Sequence, residues 1–558
     1  MSTKKRLIGA IMLLALLALG LAACAAPAAP TTAPAPSQSQ PTAAPAAPTT
    51  APKPVSVRMA ILGDESTLQP YTYVKGYPGY NMLTLLYDSL YVMDESNSPK
   101  PWVAKEDKVS VDGKVHTITL RNDVKWHDGK PLTSADVKFS YEFYKKNTHS
   151  RWSPPVRTMT SIETPNDTTV VITLSAPNPA FTIQLMGDVV IIPKHIWENV
   201  TEPKKFENNI GSGPYKLTEY KSEQYYRFTA NTAYFAGKPA VDDLLMPIIK
   251  DPTTVFSSVK TGEIQTTIQN LSPELVKDFQ NLPDIKVQRG PGYQTTMLMF
   301  NSERAPWNKK EIRQAVSLAL DKQKLVDTVL LGFGTPGSPG WLHPASPYHD
   351  PAVKGEFNVA KAKTVLDNAG IKDSNNDGFR EADGKKVEAT ILVYSNNPIR
   401  IRTGELVAAA LKEIGFDIKV TALEVATMDA KVWPDFDVAK GRDFDLAIWG
   451  WSAAVQANPL RTGDLVHSNP VIGSLNIGAY KNPAADKLAE ELGSTIDPAK
   501  QKTAMNQLEA FIASELPFDM LFYQDGMYIY RPAAYDKWVF QKGQGIFHKL
   551  TFLPNVKP

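Results

Sequence analysis

A strand–helix–strand pattern between positions 389 and 423 constrains this 558-residue chain most tightly. Ala389 to Tyr394 reads as a strand, Ile399 to Ile414 as a helix stopped by Gly415, and Phe416 to Leu423 as a second strand. That order is a βαβ unit, and such units close right-handed on a parallel sheet. The segment 443–459, DFDLAIWGWSAAVQANP, comes one segment later and is expected in the same sheet. Asp445, Ala447, Trp449 and Trp451 alternate with Leu446, Ile448 and Gly450, so both indoles share a face where the strand runs into a loop without charge. Ligands of open α/β sheets bind beyond the carboxyl ends of the strands, which makes Trp449 and Trp451 candidate ligand walls. Burial in a core is the alternative for both.

Other segments carry helix and strand signals of their own. Asn308 precedes KKEIRQAVSLALDKQKLVDTVL, with Glu311 at the third helical position and Ile312, Ala315, Val316, Ala319 and Leu320 on one face. Asn358 opens VAKAKTVLDNA, which stops at Gly370. Val55 to Leu62, Val111 to Leu120 and Thr168 to Leu174 alternate as strands do, and Thr133-Ser134-Ala135-Asp136 is a capping box heading a helix. Residues 93–208 therefore read as a compact α+β segment.

The first residues are not part of a fold. Lys4, Lys5 and Arg6 precede an aliphatic run from Leu7 to Leu21, too short for a membrane span of about 20 residues and suited to a signal peptide. Leu21-Ala22-Ala23-Cys24 closes that run with the only cysteine of the chain and looks like a bacterial lipobox. It implies cleavage before Cys24, lipidation of its thiol, and an exported protein tethered without spanning the bilayer. Ala25 to Pro54 is rich in Ala, Pro and Thr, cannot bury a core, and reads as a flexible stalk. With 60 basic and 58 acidic residues the chain offers no charge argument for nucleic acid.

Motifs for catalysis are missing. There is no zinc helix of the HExxH type, no Walker lysine loop and no nucleophile elbow. Gly211-Ser212-Gly213 runs at once into Pro214-Tyr215 and reads as a tight turn, and the eight histidines contain no His-x3-His pair. One loop suggests a cation. Asp373, Asn375 and Asp377 match positions 1, 3 and 5 of a calcium loop, with Gly378 at position 6 and Glu381 at position 9. Position 12 is Gly384, where a bidentate acid belongs, so an Asx-rich turn is the alternative to structural calcium, and no other cofactor is expected.

Five segments in order resemble one family. LRNDVKWHDGKPLTSADVKFSYEFY (120–144), GSGPYKLTEY (211–220), MFNSERAPWNKKEIRQAVSLALDKQKLV (299–326), AYKNPAADKLAEEL (479–492) and ELPFDMLFY (515–523) are similar to the family 5 extracytoplasmic solute-binding proteins, the dipeptide, oligopeptide and nickel binding subunits of bacterial ABC importers. The resemblance implies an α/β, two-lobed periplasmic-binding-protein fold of type II, with the extra domain of peptide-binding members and two hinge strands. Residues 1–23 are then the lipoprotein signal peptide, 24–54 the lipidated cysteine and linker, 55–92, 209–292 and 520–558 lobe I, 93–208 the extra domain, and 293–519 lobe III. The hinges are expected near Gly290 to Thr296 and Leu516 to Phe522. The resemblance further implies a monomer that binds a small solute between the lobes, docks on permease subunits and catalyses nothing.

The resemblance also supplies site residues and one departure. Peptide-binding relatives end the tryptophan strand in a Gly-Trp pair and place an Asp three residues after the Trp to hold the peptide's ammonium group. Here Gly450-Trp451 is kept, but Ala454 stands at the Asp position, and no acid lies between Asp445 and Asp464. An ammonium buried without a partner costs on the order of several kcal/mol. Either a substitute carboxylate such as Asp464 or Glu424 serves, or the ligand has no free amine. Because the family includes oligosaccharide binders, and paired tryptophans suit sugar faces, oligopeptide and oligosaccharide both stay open. By motif position the ligand-binding residues are Trp451, Ser452 and Ala454. Trp449 is wall or core, Tyr71 and Tyr73 follow the TLQP stretch of lobe I, and Tyr293 precedes the strand leaving the first hinge. Asn301 is expected to be a structural hydrogen-bonding residue.

Overall fold

The computed structural model describes residues 53–74 and 77–556. Cys24, the signal segment and most of the stalk lie outside the described residues. Among the described residues, no helix is long and apolar enough to cross a membrane.

The βαβ unit forms as its sequence demands. Glu388–Tyr394 and Asp417–Leu423 pair in parallel, from Glu388 opposite Asp417 to Tyr394 opposite Leu423. Between them runs the helix Pro398–Glu413, opened by the Asn397 side chain, which accepts from the Arg400 amide, and ended by Gly415 at φ 86°. The tryptophan strand, Leu446–Trp449, joins the same sheet, parallel to Glu388–Tyr394 and antiparallel to the strand Lys286–Phe300. It ends at Trp449, so Trp451 lies just past the strand.

That sheet has 11 strands, and two long ones run through its middle. Lys286–Phe300 and Phe518–Tyr530 pair antiparallel, with Gly290 opposite Gly526 and Gln294 opposite Gln524, and a register shift between those pairs. Glycine makes the shift feasible: a Cβ on Gly292 would overlap the Gln524 carbonyl oxygen. The apolar cores divide at the same place. Met527 and Ile529 pack with Ala60, Val255 and Phe279, while Leu298, Phe300, Leu521 and Phe522 pack with Ile312, Ile391 and Ile448. The result is two α/β lobes joined by two crossing strands. Residues Ala104–Val109, Val115–Leu120, Thr169–Leu174 and Met159–Asn166 form a separate four-stranded antiparallel sheet in that order. The helix Ser134–Lys146 carries its capping box, with the Thr133 amide donating to Asp136 Oδ2 at 2.9 Å.

Three expectations need correction. The helix after Asn308 is Lys310–Ala319 with Lys309 as its cap, which moves Glu311 to the second helical position. The alternating run at Val111 starts pairing only at Val115, because Ser110 to Lys114 turn through Gly113 at φ 69°. On the second crossing strand the break lies at Gln524–Gly526, beyond Leu516 to Phe522. Leu516, at φ 49°, is the left-handed cap of the helix Pro498–Glu515, and Phe518 to Phe522 pair regularly apart from one local shift.

Candidate ligand-binding site

Two cavities open where the lobes meet, and the residues just after the tryptophan strand touch both. The hinge-side cavity, about 360 Å³, is lined by Ser452 and Ala453 on one side and by Gln294, Gln524, Asp525 and Tyr77 on others. The outer cavity, about 240 Å³, is lined by Ala454 and Asn458 against Tyr80, Arg151, Asp188 and Gln541. Ser452 and Ala454, both exposed, thus sit at the cleft.

Behind them stands a cluster of indoles. Trp451 is held by its main chain: its amide donates to Thr295 Oγ1 at 2.7 Å, and its carbonyl accepts from the Thr295 amide at 3.1 Å. Gly450 permits that approach, since a Cβ there would overlap the Thr295 carbonyl oxygen. Trp449 and Trp451 are 5% and 7% exposed. Trp433, from the segment after the helix Val425–Val432, meets Trp451 at 5.3 Å and Trp449 at 6.5 Å between ring centres, nearly perpendicular to each. Neither indole therefore offers an open face of the kind that sugar stacking needs. All three indole N–H groups are buried without a hydrogen-bond partner, as are those of Trp126, Trp152, Trp197 and Trp341 elsewhere among the described residues, so this state does not single out the site.

A cation stands beside this cluster. Arg400, in the first turn of the helix Pro398–Glu413, lies 5.1 Å over the ring of Tyr394, and Tyr394 packs 5.5 Å from Trp449. The Arg400 Nη2 is 3.0 Å from where a Cβ of residue 450 would sit. Arg400 makes no ion pair with any described residue, and burial lowers its pKa. Arg400 itself lines neither cavity; it stands behind the cleft wall at the amino end of its helix, beside the carboxyl ends of the parallel strands. Arg400 and Trp433 escaped sequence reading. The usable signal for Arg400 was its place one turn into the helix of the βαβ unit, where that helix begins beside the strand ends.

The remaining expected residues are placed as follows. Tyr71 donates to the Asn147 carbonyl at 2.8 Å and packs among Phe143, Tyr144 and Trp197, while Tyr73 stacks on His149 and Trp152. Both lie in aromatic packing against the α+β segment, and neither lines the two cavities. Tyr293, buried at φ 59°, packs 5.1 Å from His343 behind the cavity walls. Asn301 donates to the Phe444 carbonyl at 2.8 Å. Of the two substitute carboxylates, Asp464 pairs with Arg461 at 2.9 Å and Glu424 is an exposed cap, so neither lines a cleft cavity. Carboxylate oxygens of Asp373, Asp377 and Glu381 lie within 4.8 Å of one another. Asp373 accepts from the amides of Asp377 and Gly378, Asn375 accepts from the Asp377 amide, and Glu381 Oε2 accepts from Ser374, as in an Asx turn.

Two α/β lobes joined by two crossing strands, with cavities between them, are the architecture of an extracytoplasmic solute-binding protein. The chain belongs to the bacterial extracellular solute-binding proteins, family 5, whose middle-region profile matches residues 98–469. It is 30% identical over 451 residues to the oligopeptide-binding protein AppA of Bacillus subtilis, covering 79% of this chain and 81% of that one. The solved structure of AppA with a nonapeptide matches with a TM-score of 0.64 at 26% identity, covering 89% of this chain and 99% of that chain. NikZ of Campylobacter jejuni, solved with Ni(L-His), matches at 27% identity with a TM-score of 0.65, over 85% of this chain and 94% of that one. The chain is accordingly a binding protein and not an enzyme.

Proposed function

We propose that this chain is the substrate-binding lipoprotein of an ABC importer for peptides, and that Arg400 receives a carboxylate of the bound solute. One observation carries the second half: a half-buried guanidinium without a carboxylate partner stands against Gly450 and over the Tyr394 ring, beside the indole cluster. A carboxylate supplies acceptors and a counter-charge in one group, and charge-assisted bonds of this kind are the strong ones. The similarity to an oligopeptide-binding protein supports peptides as the solute. The enclosed tryptophans supply no reason to prefer sugars.

In this reading residues 55–92, 209–292 and 520–558 form lobe I, 93–208 the extra domain and 293–519 lobe III. Trp451, Ser452 and Ala454 border the solute, while Trp449 and Tyr293 back the wall. Cys24 carries the lipid, residues 25–54 act as stalk, and the closed monomer docks on permease subunits at the outer face of the membrane. Tyr71 and Tyr73 are proposed to stiffen the junction with the extra domain rather than to touch solute.

The test is calorimetric titration of the mature chain with peptides of two to nine residues, each with a free or an amidated C-terminus. Free carboxylates are expected to bind at least about tenfold more tightly. Equal affinity for both forms would remove Arg400 from the site. No binding by any peptide would remove the peptide reading. Metabolic labelling with a fatty acid, lost in Cys24→Ser, tests the anchor.

A further inference from the structure

The α+β segment and the first lobe are built as one body. Tyr144, Trp152 and Trp197 of that segment share an apolar core with Tyr71, Tyr73, Phe228 and Leu244 of the first lobe, whereas the cores of the second lobe stand apart. A contact between the α+β segment and the second lobe is therefore made or broken by the angle between the lobes. Such a contact exists at the tip of the hairpin that joins Ala104–Val109 to Val115–Leu120. A Cβ on Gly113 would meet Ile496 Cδ1 at 2.6 Å, Ile496 Cγ2 at 3.3 Å and Pro177 Cβ at 3.2 Å. Gly113 is buried although Val111 and Asp112 beside it are exposed, so Ile496 of the second lobe helps to cover it.

Both partners are stiff. In the turn, the Ser110 amide donates to the Val115 carbonyl at 2.8 Å and the Gly113 amide to the Ser110 carbonyl at 2.9 Å. Gly113 stands at φ 69°, a conformation that glycine takes freely and, among other residues, chiefly Asn and Asp. Ile496 lies in the short link between the helices Pro483–Ser494 and Pro498–Glu515. That link is fixed on both flanks: Thr495 Oγ1 donates to the Glu491 carbonyl at 2.6 Å, and Asp497 Oδ1 accepts from the Lys500 amide at 2.9 Å. Leu492, Met505 and Leu508 of the two helices pack with Trp449 and Trp451 behind the cleft. Ile496 itself joins none of the apolar cores and is 37% exposed, so its apolar cover comes from this contact.

We propose that the turn at Gly113 and the Ile496 side chain form a clasp that stabilises the closed arrangement of the lobes, which makes the α+β segment part of the closing jaw. Opening the lobes returns Ile496 to water, and apolar surface resists that exposure. Gly113, Pro177 and Ile496 line neither cavity, so the clasp touches no solute. Weakening it lowers the closed fraction and reduces affinity by the same factor for every solute. The proposal does not depend on what the solute is.

The contact is tested with cysteines. Cys24 is the only native one, so the mature chain carrying Cys24→Ser accepts a designed pair. Gly113→Cys with Ile496→Cys should cross-link within one chain under copper phenanthroline, because Ile496 Cγ2 is one bond from its Cβ and the two Cβ positions then lie near the ~4 Å a disulfide needs. Gly129→Cys with Ile496→Cys should not, since nothing lies within 4 Å of a Cβ at Gly129. Failure of the first pair, or equal cross-linking by both, overturns the contact. Its effect is tested with Gly113→Asn, which keeps the left-handed turn and wedges a side chain against Ile496. Peptides of two to nine residues should bind this variant about three- to tenfold more weakly, by one factor for all of them. Adding Ile496→Ala should restore most of the loss, and Gly129→Asn, also at a left-handed glycine, should match the wild type. Wild-type affinity in Gly113→Asn, or a loss that Ile496→Ala does not relieve, overturns the clasp. If no peptide binds, the peptide reading falls and small-angle scattering of the free chain judges the clasp. Gly113→Asn must then have a larger radius of gyration than Gly129→Asn, and equal radii overturn the proposal.

Discussion

Lys542 donates its ammonium group to the Ala345 carbonyl at 2.7 Å, and Tyr293 Oη reaches the same oxygen at 3.3 Å. Lys542 lies in the C-terminal segment whose Trp538, Ile546 and Phe547 pack with Val57 and Met59 of the first lobe, while Trp341 and Leu342, just before Ala345, pack in the second. The bond therefore spans the cleft. Lys542→Met should weaken closure, lowering peptide affinity by about 1 kcal/mol and enlarging the liganded molecule's radius of gyration. Small-angle scattering with saturating peptide checks this; an unchanged liganded radius and unchanged affinity count against a latch.

Arg400→Gln should separate binding from stability. A half-buried cation without a partner costs the unliganded fold something, so its removal should leave the melting temperature unchanged or slightly higher. Affinity for free-carboxylate peptides should fall by about 1.5–3 kcal/mol, with amidated peptides little affected. Parallel calorimetry and thermal melts give both quantities, and a large loss of stability would instead make Arg400 a packing residue.

Trp451→Phe keeps an aromatic ring between Trp433 and Trp449 but removes one of the three indole N–H groups. A loss of about 1 kcal/mol in peptide affinity is expected beyond any change in fold stability. The truncation Trp451→Ala is a poorer probe, since emptying an aromatic site in this core costs about 3–5 kcal/mol of stability.

Glu65 gives a pH signature. It is 7% exposed, its Oε2 has no hydrogen-bond partner, and burial, aided by the neighbouring charge of Asp64, pushes its pKa up to about 7. Folded Glu65 holds its proton more tightly than unfolded Glu65. Its contribution is therefore full below the ordinary value of 4.5 and is lost as pH climbs through about 7. Glu65→Gln should match the wild type near pH 4 and exceed it by about 1–3 kcal/mol at pH 8. Denaturant unfolding across that range checks the sign, and a difference independent of pH would refute it.

Local signals were legible in the sequence and long-range ones were not. Asn397 and Gly415 bracket their helix through bonds made within a few residues, as Thr133 and Asp136 do at theirs, so composition and spacing suffice. Asn308 misled because any Asn before a helical run looks like a cap, and only the chain path decides that Lys309 takes the role. The site draws Thr295, Arg400, Trp433 and Gly450 from four separated segments, brought together by a sheet order that does not follow the sequence. That Arg400 lacks a partner is a statement about all its surroundings, which no local pattern contains. Tyr71 and Tyr73 show the converse: an aromatic in an extended stretch looks alike whether it faces a solute or Trp152.

The shifted register between Gly290–Gly526 and Gln294–Gln524 has a mechanical meaning. The two crossing strands are bonded to each other on both sides of the irregularity, so neither bends without carrying the other. The connection then behaves as one pin rather than two straps, with a single swing as its soft motion. A solute held between the lobes therefore fixes one angle, and a membrane partner needs only to measure that angle to know that the carrier is loaded.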